Sequence, residues 1–218
     1  MAYSLRLIED MLAPRAGHAT ALPPLNRVLY VARGTLVVKA DAGPASLASD
    51  AAWHGVGACV AQAGDDGALV LRFELCPEPP ASPGSGRVLL EHPVALDPRS
   101  RWLMRCDRVD FEPGGVALPH RHRGGGIRWL LRGVLDVTVG ESPARRMAPG
   151  SAWFESGREP VRAVAAPEVA TSFVRVAILP LEIQGQSSIL YVDPADAARG
   201  KPRKYTVYVD APIAIDTG

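Results

Sequence analysis

The 218-residue chain has only three cysteines, Cys59, Cys76 and Cys106. They are odd in number, scattered, and show no CxxC spacing. That excludes a disulfide framework and a cysteine-held zinc site, and it suits reduced thiols in a cytoplasmic setting. An excess of either charge is missing too. The formal net charge is +1, whereas a broad phosphate footprint needs a basic surplus, so neither nucleic acid nor a membrane surface is expected as a partner. No apolar run reaches the roughly 18 residues of a membrane-crossing helix. Near the start, Glu9 and Asp10 interrupt the stretch where a secretory leader would be apolar. No Gly-x-Ser-x-Gly, P-loop or helix-turn-helix pattern occurs.

What is present is the composition of a folded protein, 47% apolar and 22% charged. At about 150 residues per domain, the length allows one large domain or two small ones. Glycine (21) and proline (20) are frequent and aromatics are scarce. Many turns between short apolar segments point to an all-β chain.

The segments read as strands in two similar sets. Residues 26–32 lead through Arg33-Gly34 into 35–39, a strand, a glycine turn and a strand. About 100 residues on, 126–132 lead through Gly133 into 134–139. Gly34 matches Gly133 at an offset of 99, Trp53 matches Trp153 and Gly57 matches Gly157 at 100, and Arg72 matches Arg175 at 103. Ordered matches with small gaps indicate a duplicated unit. The stretch 76–86 holds four prolines and reads as a connector. Ser4–Leu12 places Leu5, Ile8, Glu9 and Leu12 near one helical face. Arg199, Lys201, Arg203 and Lys204 read as a solvated basic loop.

One segment carries chemistry. In 113–133, His120 and His122 stand two apart on a strand, hence on one face, roughly 6.6 Å apart along the backbone. Their rings can converge on one ion, and neutral imidazole suits zinc, copper, iron or nickel. Gly114, His120, His122 and Gly133 together resemble the first signature motif of the cupin superfamily, and Ala148–Gly157 resembles the second. With the duplication, the chain resembles a bicupin. The resemblance implies two tandem cupin-type jelly-roll barrels (double-stranded β-helices) with an extended C-terminal tail. The expected parts are a degenerate barrel over 1–80, a Pro/Gly-rich linker over 81–87, a barrel with the His-x-His site over 88–182, and a tail over 183–218. That tail is expected to form edge strands or a dimer arm, which makes a homodimer the expected assembly.

The departures from the motif are specific. Gly126 stands where the family has a metal-binding glutamate, and Pro160, beside Glu159, where it has a third histidine. Two imidazoles alone make a weak site, since a facial triad adds a carboxylate and catalytic zinc has three protein ligands. Glu155 is the expected third ligand, with Glu159 as the other nearby carboxylate. The expected cofactor is a divalent transition metal: iron, zinc, nickel or manganese. Arg128, two after Gly126, points into the same hollow. A buried arginine needs an anionic partner, and either Glu155 or a substrate carboxylate would serve. Trp153 is expected in the core or on the pocket wall, and with Arg128 it is the expected substrate contact.

In the first half the positions matching His120 and His122 are Ala21 and Pro23, or Pro24 and Asn26 in a second alignment, so that half reads as structural. His18, His54 and His92 read as surface or packing residues. Three functions stay open. One is a metal-dependent enzyme (a dioxygenase, isomerase or lyase) acting on a small anionic organic molecule. The second is a metal-free binder or sensor of such a molecule, and the third is a structural or assembly role.

Overall fold

The structure, a computed structural model, describes residues 2–14, 19–199 and 203–215. It is built almost wholly of strands, and among the described residues no helix is long and apolar enough to cross a membrane. His18 and Lys201 lie outside the described residues. The chain divides into two compact units, Met1–Ser100 with Ile213–Gly218, and Arg101–Pro212.

The first unit contains β1 (Tyr3–Leu12), β2 (Thr20–Leu22), β3 (Asn26–Ala40), β4 (Gly43–Leu47), β5 (Ala51–Gly55), β6 (Cys59–Pro77) and β7 (Arg87–Val94). They form one sheet in the order β4-β3-β6-β1-β7, with β2 on β6 and β5 on β3. The long strands β3 and β6 pair along most of their lengths, and the register slips after Val31 and after Gly34. Such bulges bend a strand. Gly34, at φ +84°, has no room for a side chain, since a Cβ there would lie 2.0 Å from the Gly67 carbonyl oxygen. Leu29, Val31, Leu36, Val38 and Val70 form the core here.

Ser4–Leu12 is therefore a strand, not a helix. β1 lies between β6 and β7 and is buried on both faces through Tyr3–Ile8. It lacks the alternation that marks a half-exposed strand, and its buried Arg6 imitates the polar side of a helix.

The proline-rich stretch is not a boundary either. β7, which follows it, pairs with β1, and the division between units falls after Ser100. A buried charge cluster holds the stretch in place. Arg6, Arg27 and Arg72 converge on Glu74, with nitrogen–oxygen distances of 2.7, 3.1 and 3.0 Å. Arg72 also pairs with Asp10 at 2.7 Å. Arg6 and Arg72 also donate to backbone oxygens of the stretch, Arg6 to Ala81 and Arg72 to Ser85, while Arg27 donates to the Pro23 and Gly57 carbonyls.

The second unit contains β8 (Trp102–Phe111), β9 (Val116–His122), β10 (Gly126–Arg132), β11 (Leu135–Val139), β12 (Arg145–Met147), β13 (Ala152–Glu155), β14 (Val161–Ala165), β15 (Thr171–Pro180), β16 (Ile189–Tyr191) and β17 (Arg203–Ile213). They make two five-stranded sheets, β13-β10-β15-β8-β17 and β12-β11-β14-β9-β16. Val109, Phe111, Leu130, Leu135, Val137, Trp153 and Phe173, drawn from both sheets, pack into one core. Of the two expected roles for the tail, the structure shows edge strands: β16 pairs with β9 and β17 with β8. Arg105 fastens β17 through Asp210 at 2.8 Å.

The strand registers carry the duplication. In the second unit Arg128 faces Trp153 on one side and Arg175 on the other. In the first unit Leu29 faces Trp53 and Arg72. The offsets between these ranks are the 99, 100 and 103 read from the sequence, and Gly34 and Gly133 both take positive φ.

Candidate functional site

One rank across four strands of the first sheet of the second unit presents Trp153, Arg128, Arg175 and Asp107 side by side. Inward-facing side chains on neighbouring strands meet directly. Arg175 donates from Nε to Asp107 at 3.0 Å and from Nη2 to its second oxygen. Arg128 and Arg175 are thus two adjacent guanidinium groups, and each needs its own anion. Glu155 supplies the other, one rank away opposite Gly126.

The second sheet contributes His120 and His122 from β9. Both are buried on one strand face, and both line a cavity with Arg128, Trp153 and Glu155. The ring centroids are 4.8 Å apart with edge-to-face planes. His120 Nδ1 donates to the Leu118 carbonyl oxygen at 2.6 Å, which leaves Nε2 as a lone-pair acceptor. His122 Nε2 stands 3.3 Å from Glu155 Oε2. An ionised carboxylate only accepts, so this nitrogen carries the proton and Nδ1 faces the Ser188 hydroxyl at 3.4 Å.

Glu155 is the hub. Its Oε1 accepts from Trp153 Nε1 at 2.9 Å, and its Oε2 lies 2.7 Å from Arg128 Nη2. Burial alone would raise its pKa, but the Arg128 charge and the donors His122 and Trp153 hold it well below the usual carboxylate range. Burial drives the other groups the opposite way. His122 is pushed down to about 3 and Arg128 to about 10, and His120 is lowered as well. At neutral pH both imidazoles are neutral while the Arg128–Glu155 pair is charged.

These contacts decide between the partners open to Arg128. Its anion is Glu155, with Nη1 donating to the Gly126 carbonyl. Trp153 belongs to the core, edge-on to Phe173 at 5.4 Å, and it also lines the cavity. Glu159 is exposed and bonds Ser156, away from the site.

The residue that sequence reasoning missed is Arg203. It does not lie in a solvated loop. It opens β17, is 9% exposed, and lines the cavity with Tyr205. Its Nε donates to Tyr205 Oη at 2.6 Å and its Nη2 reaches Tyr191 Oη at 3.4 Å. Its charge lies about 6 Å from the Phe111 and Tyr205 ring centres. Among the described residues it has no carboxylate partner. The cavity is about 30 Å³, enough for two or three waters at roughly 10–15 Å³ each.

A resident divalent metal does not fit this donor set. Among the described residues no three His, Cys, Asp or Glu side chains are arranged as a metal centre. Both Glu155 oxygens are engaged, and the one nearest His122 already faces a guanidinium. An ion there would set like charges together in a buried site.

No family model and no curated protein matches the sequence. Solved structures do match its shape. Oxalate decarboxylase of Lactobacillus farciminis, solved as a formate complex, has TM-score 0.64 at 13% identity, covering 91% of this chain and 82% of its own. A salicylate 1,2-dioxygenase variant of Pseudoaminobacter salicylatoxidans, with gentisate, has TM-score 0.58 at 10% identity, covering 94% and 73%. The 11S allergen of Cocos nucifera has TM-score 0.62 at 10% identity, covering 86% and 83%. At such identities the likeness concerns architecture, and it is decisive there: this chain has the bicupin fold, two cupin jelly-roll barrels in tandem.

Proposed function

We propose that the second barrel binds a small organic anion in the hollow between its sheets, without a resident metal. The observation that carries this reading is Arg203. Three guanidinium groups line the cavity, and two have carboxylate partners, Arg128 with Glu155 and Arg175 with Asp107. The third, Arg203, is buried without one among the described residues. A buried cation calls for an anion, and the fork of an arginine matches a carboxylate. His120 Nε2 adds an acceptor on the same cavity, which favours an acid that also carries a hydroxyl. The small volume favours an acid of one or two carbons. The dioxygenase, isomerase and lyase expectations depend on a metal that these donors do not gather, and they are not carried further.

The likeness to a decarboxylase solved with formate supports testing short acids first. Thermal melts with increasing formate and glycolate should rise for the wild type as a ligand-linked shift. Arg203→Gln should lose the shift, with affinity down about tenfold to a hundredfold for a charge-assisted contact. Lys204→Gln, at the exposed neighbour, should keep it. Equal shifts in wild type and Arg203→Gln, or none in either, would contradict the reading.

A further inference from the structure

We propose that the buried arginine cluster of the first unit is a second oxyanion site, and that residues 79–86 are its built-in occupant, their backbone carbonyl oxygens standing where the oxygens of a ligand would stand. The site is separate from the cavity of the second unit and does not depend on the reading of Arg203.

The charges in this cluster do not balance. Arg27 and Arg72 have no exposed surface, and Arg6 is 3% exposed. The three share two carboxylates, Glu74 and Asp10. The second unit treats the matching positions differently. Arg105 follows Arg6 at the offset of 99, and Arg175 follows Arg72 at 103. The ladders keep those offsets, with Arg6 facing Glu74 and Arg105 facing Ala177. There each of these guanidinium groups has a carboxylate of its own, Arg105 with Asp210 and Arg175 with Asp107. The first unit is one acid short. Neutral carbonyls take up the spare N–H groups instead. Arg6 Nη1 donates to Ala81 at 2.6 Å, Arg72 Nη2 to Ser85 at 2.8 Å, and Arg72 Nη1 reaches Pro83 at 3.5 Å. These oxygens satisfy the donors but leave one positive charge buried, which an anion would neutralise.

The occupant is lightly held. Glu78 before it bonds the Ala2 carbonyl, and Arg87 after it pairs with Glu9. Among the described residues, 79–86 make no backbone–backbone hydrogen bond. Ser82, Gly84 and Gly86 are exposed. The Ser85 hydroxyl is buried with no partner, a cost that leaving the seat would relieve. Gly86 marks the closest approach. Its φ is +78°, and a Cβ there would overlap the Asp10 carboxylate and Ile8 Cγ2. A side chain at 86 therefore lifts the segment and leaves the three arginines intact. Donors on two different arginines suit an anion with two or more oxygens, a carboxylate or a phosphate.

Inorganic phosphate is the probe, in an Arg203→Gln parent so that the second-unit cavity is silent. Calorimetric titration of this parent should show weak binding. Gly86→Val should take up one phosphate per chain about tenfold tighter or more. Adding Arg6→Gln, which leaves two guanidinium groups on two carboxylates, should remove that binding while the strand circular dichroism is kept. In the parent itself, phosphate at constant ionic strength should speed elastase cleavage after Ala81, mapped by mass spectrometry, and the effect should saturate. Equal affinity in the folded Gly86→Val variant and its parent overturns the inference, as does binding that survives Arg6→Gln. Should Gly86→Val not fold, the cleavage assay decides, and a rate at Ala81 indifferent to phosphate overturns the inference. Formate binding through Arg203 is read in a separate titration, so either reading can fail alone.

Discussion

Removing the charge of Glu155 and removing that of Arg128 should destabilise the second barrel unequally. Glu155→Gln keeps an acceptor for Trp153 Nε1 and removes only the charge. It leaves Arg128, 1% exposed, beside Arg175 as its cross-strand neighbour. Only Asp107 then remains to balance two guanidinium groups. Breaking a buried pair from one side costs about 3–5 kcal/mol, and an arginine has no accessible neutral form to relieve it. Arg128→Met instead leaves a carboxylate that still has donors from His122 and Trp153 and can take up a proton. Its cost should be smaller, and should shrink as pH falls from 8 to 5, whereas that of Glu155→Gln should stay level. The double variant Arg128→Met/Glu155→Gln should be more stable than the sum of the singles implies, with a coupling of about 2 kcal/mol or more. Urea denaturation followed by tryptophan fluorescence is the assay, since Trp102, Trp129 and Trp153 lie in the second unit and only Trp53 in the first. Additive singles, or a Glu155→Gln variant as stable as wild type, would refute the paired-charge account.

Two further outcomes follow from buried groups. Folding holds the His122 pKa near 3 against an ordinary 6.5, so the unfolded chain takes up the proton first. Stability is then full above pH 6.5 and falls as pH drops toward 3, by about 1.4 kcal/mol per pH unit. Between pH 6.5 and 5 the wild type should lose about 2 kcal/mol on this account, and His122→Asn should show a flatter profile. In the first unit, Glu74→Gln leaves Arg6, Arg27 and Arg72 with Asp10 as their remaining buried acid. It should cost about 3–5 kcal/mol and expose the 78–86 stretch to proteolysis. Equal protease resistance in this variant and the wild type would count against the clamp.

Most of the architecture was legible because it is written locally. Gly133 between β10 and β11, the β-rich segments, and the paired tryptophans and arginines fix strand positions at spacings that the ladders preserve, whereas the turn expected at Gly34 is a bulge within the single strand β3. The His120-x-His122 face was legible for the same reason, as alternation along one strand. What escaped depends on partners distant in sequence. Ser4–Leu12 looks helical only until β6 and β7 cover both of its faces. The proline stretch looks like a linker until Arg6 and Arg72 bind its carbonyls. Arg203 sits in a basic run far beyond the motif. Its one local signal is the i, i+2 pairing with Tyr205, which puts an arginine and a tyrosine on one strand face. Glu155 was foreseen as a spare carboxylate, but a sequence cannot show that its oxygens are already shared among Arg128, His122 and Trp153.

The central claim is that the hollow of the second barrel is organised around a protein cation, with no metal resident. Elemental analysis tests it most directly, on protein purified without chelator from medium supplemented with iron, manganese, nickel and zinc. The account predicts metal far below one ion per chain, unchanged in His120→Ala/His122→Ala. Close to one ion per chain in the wild type, lost in that double variant, would contradict it.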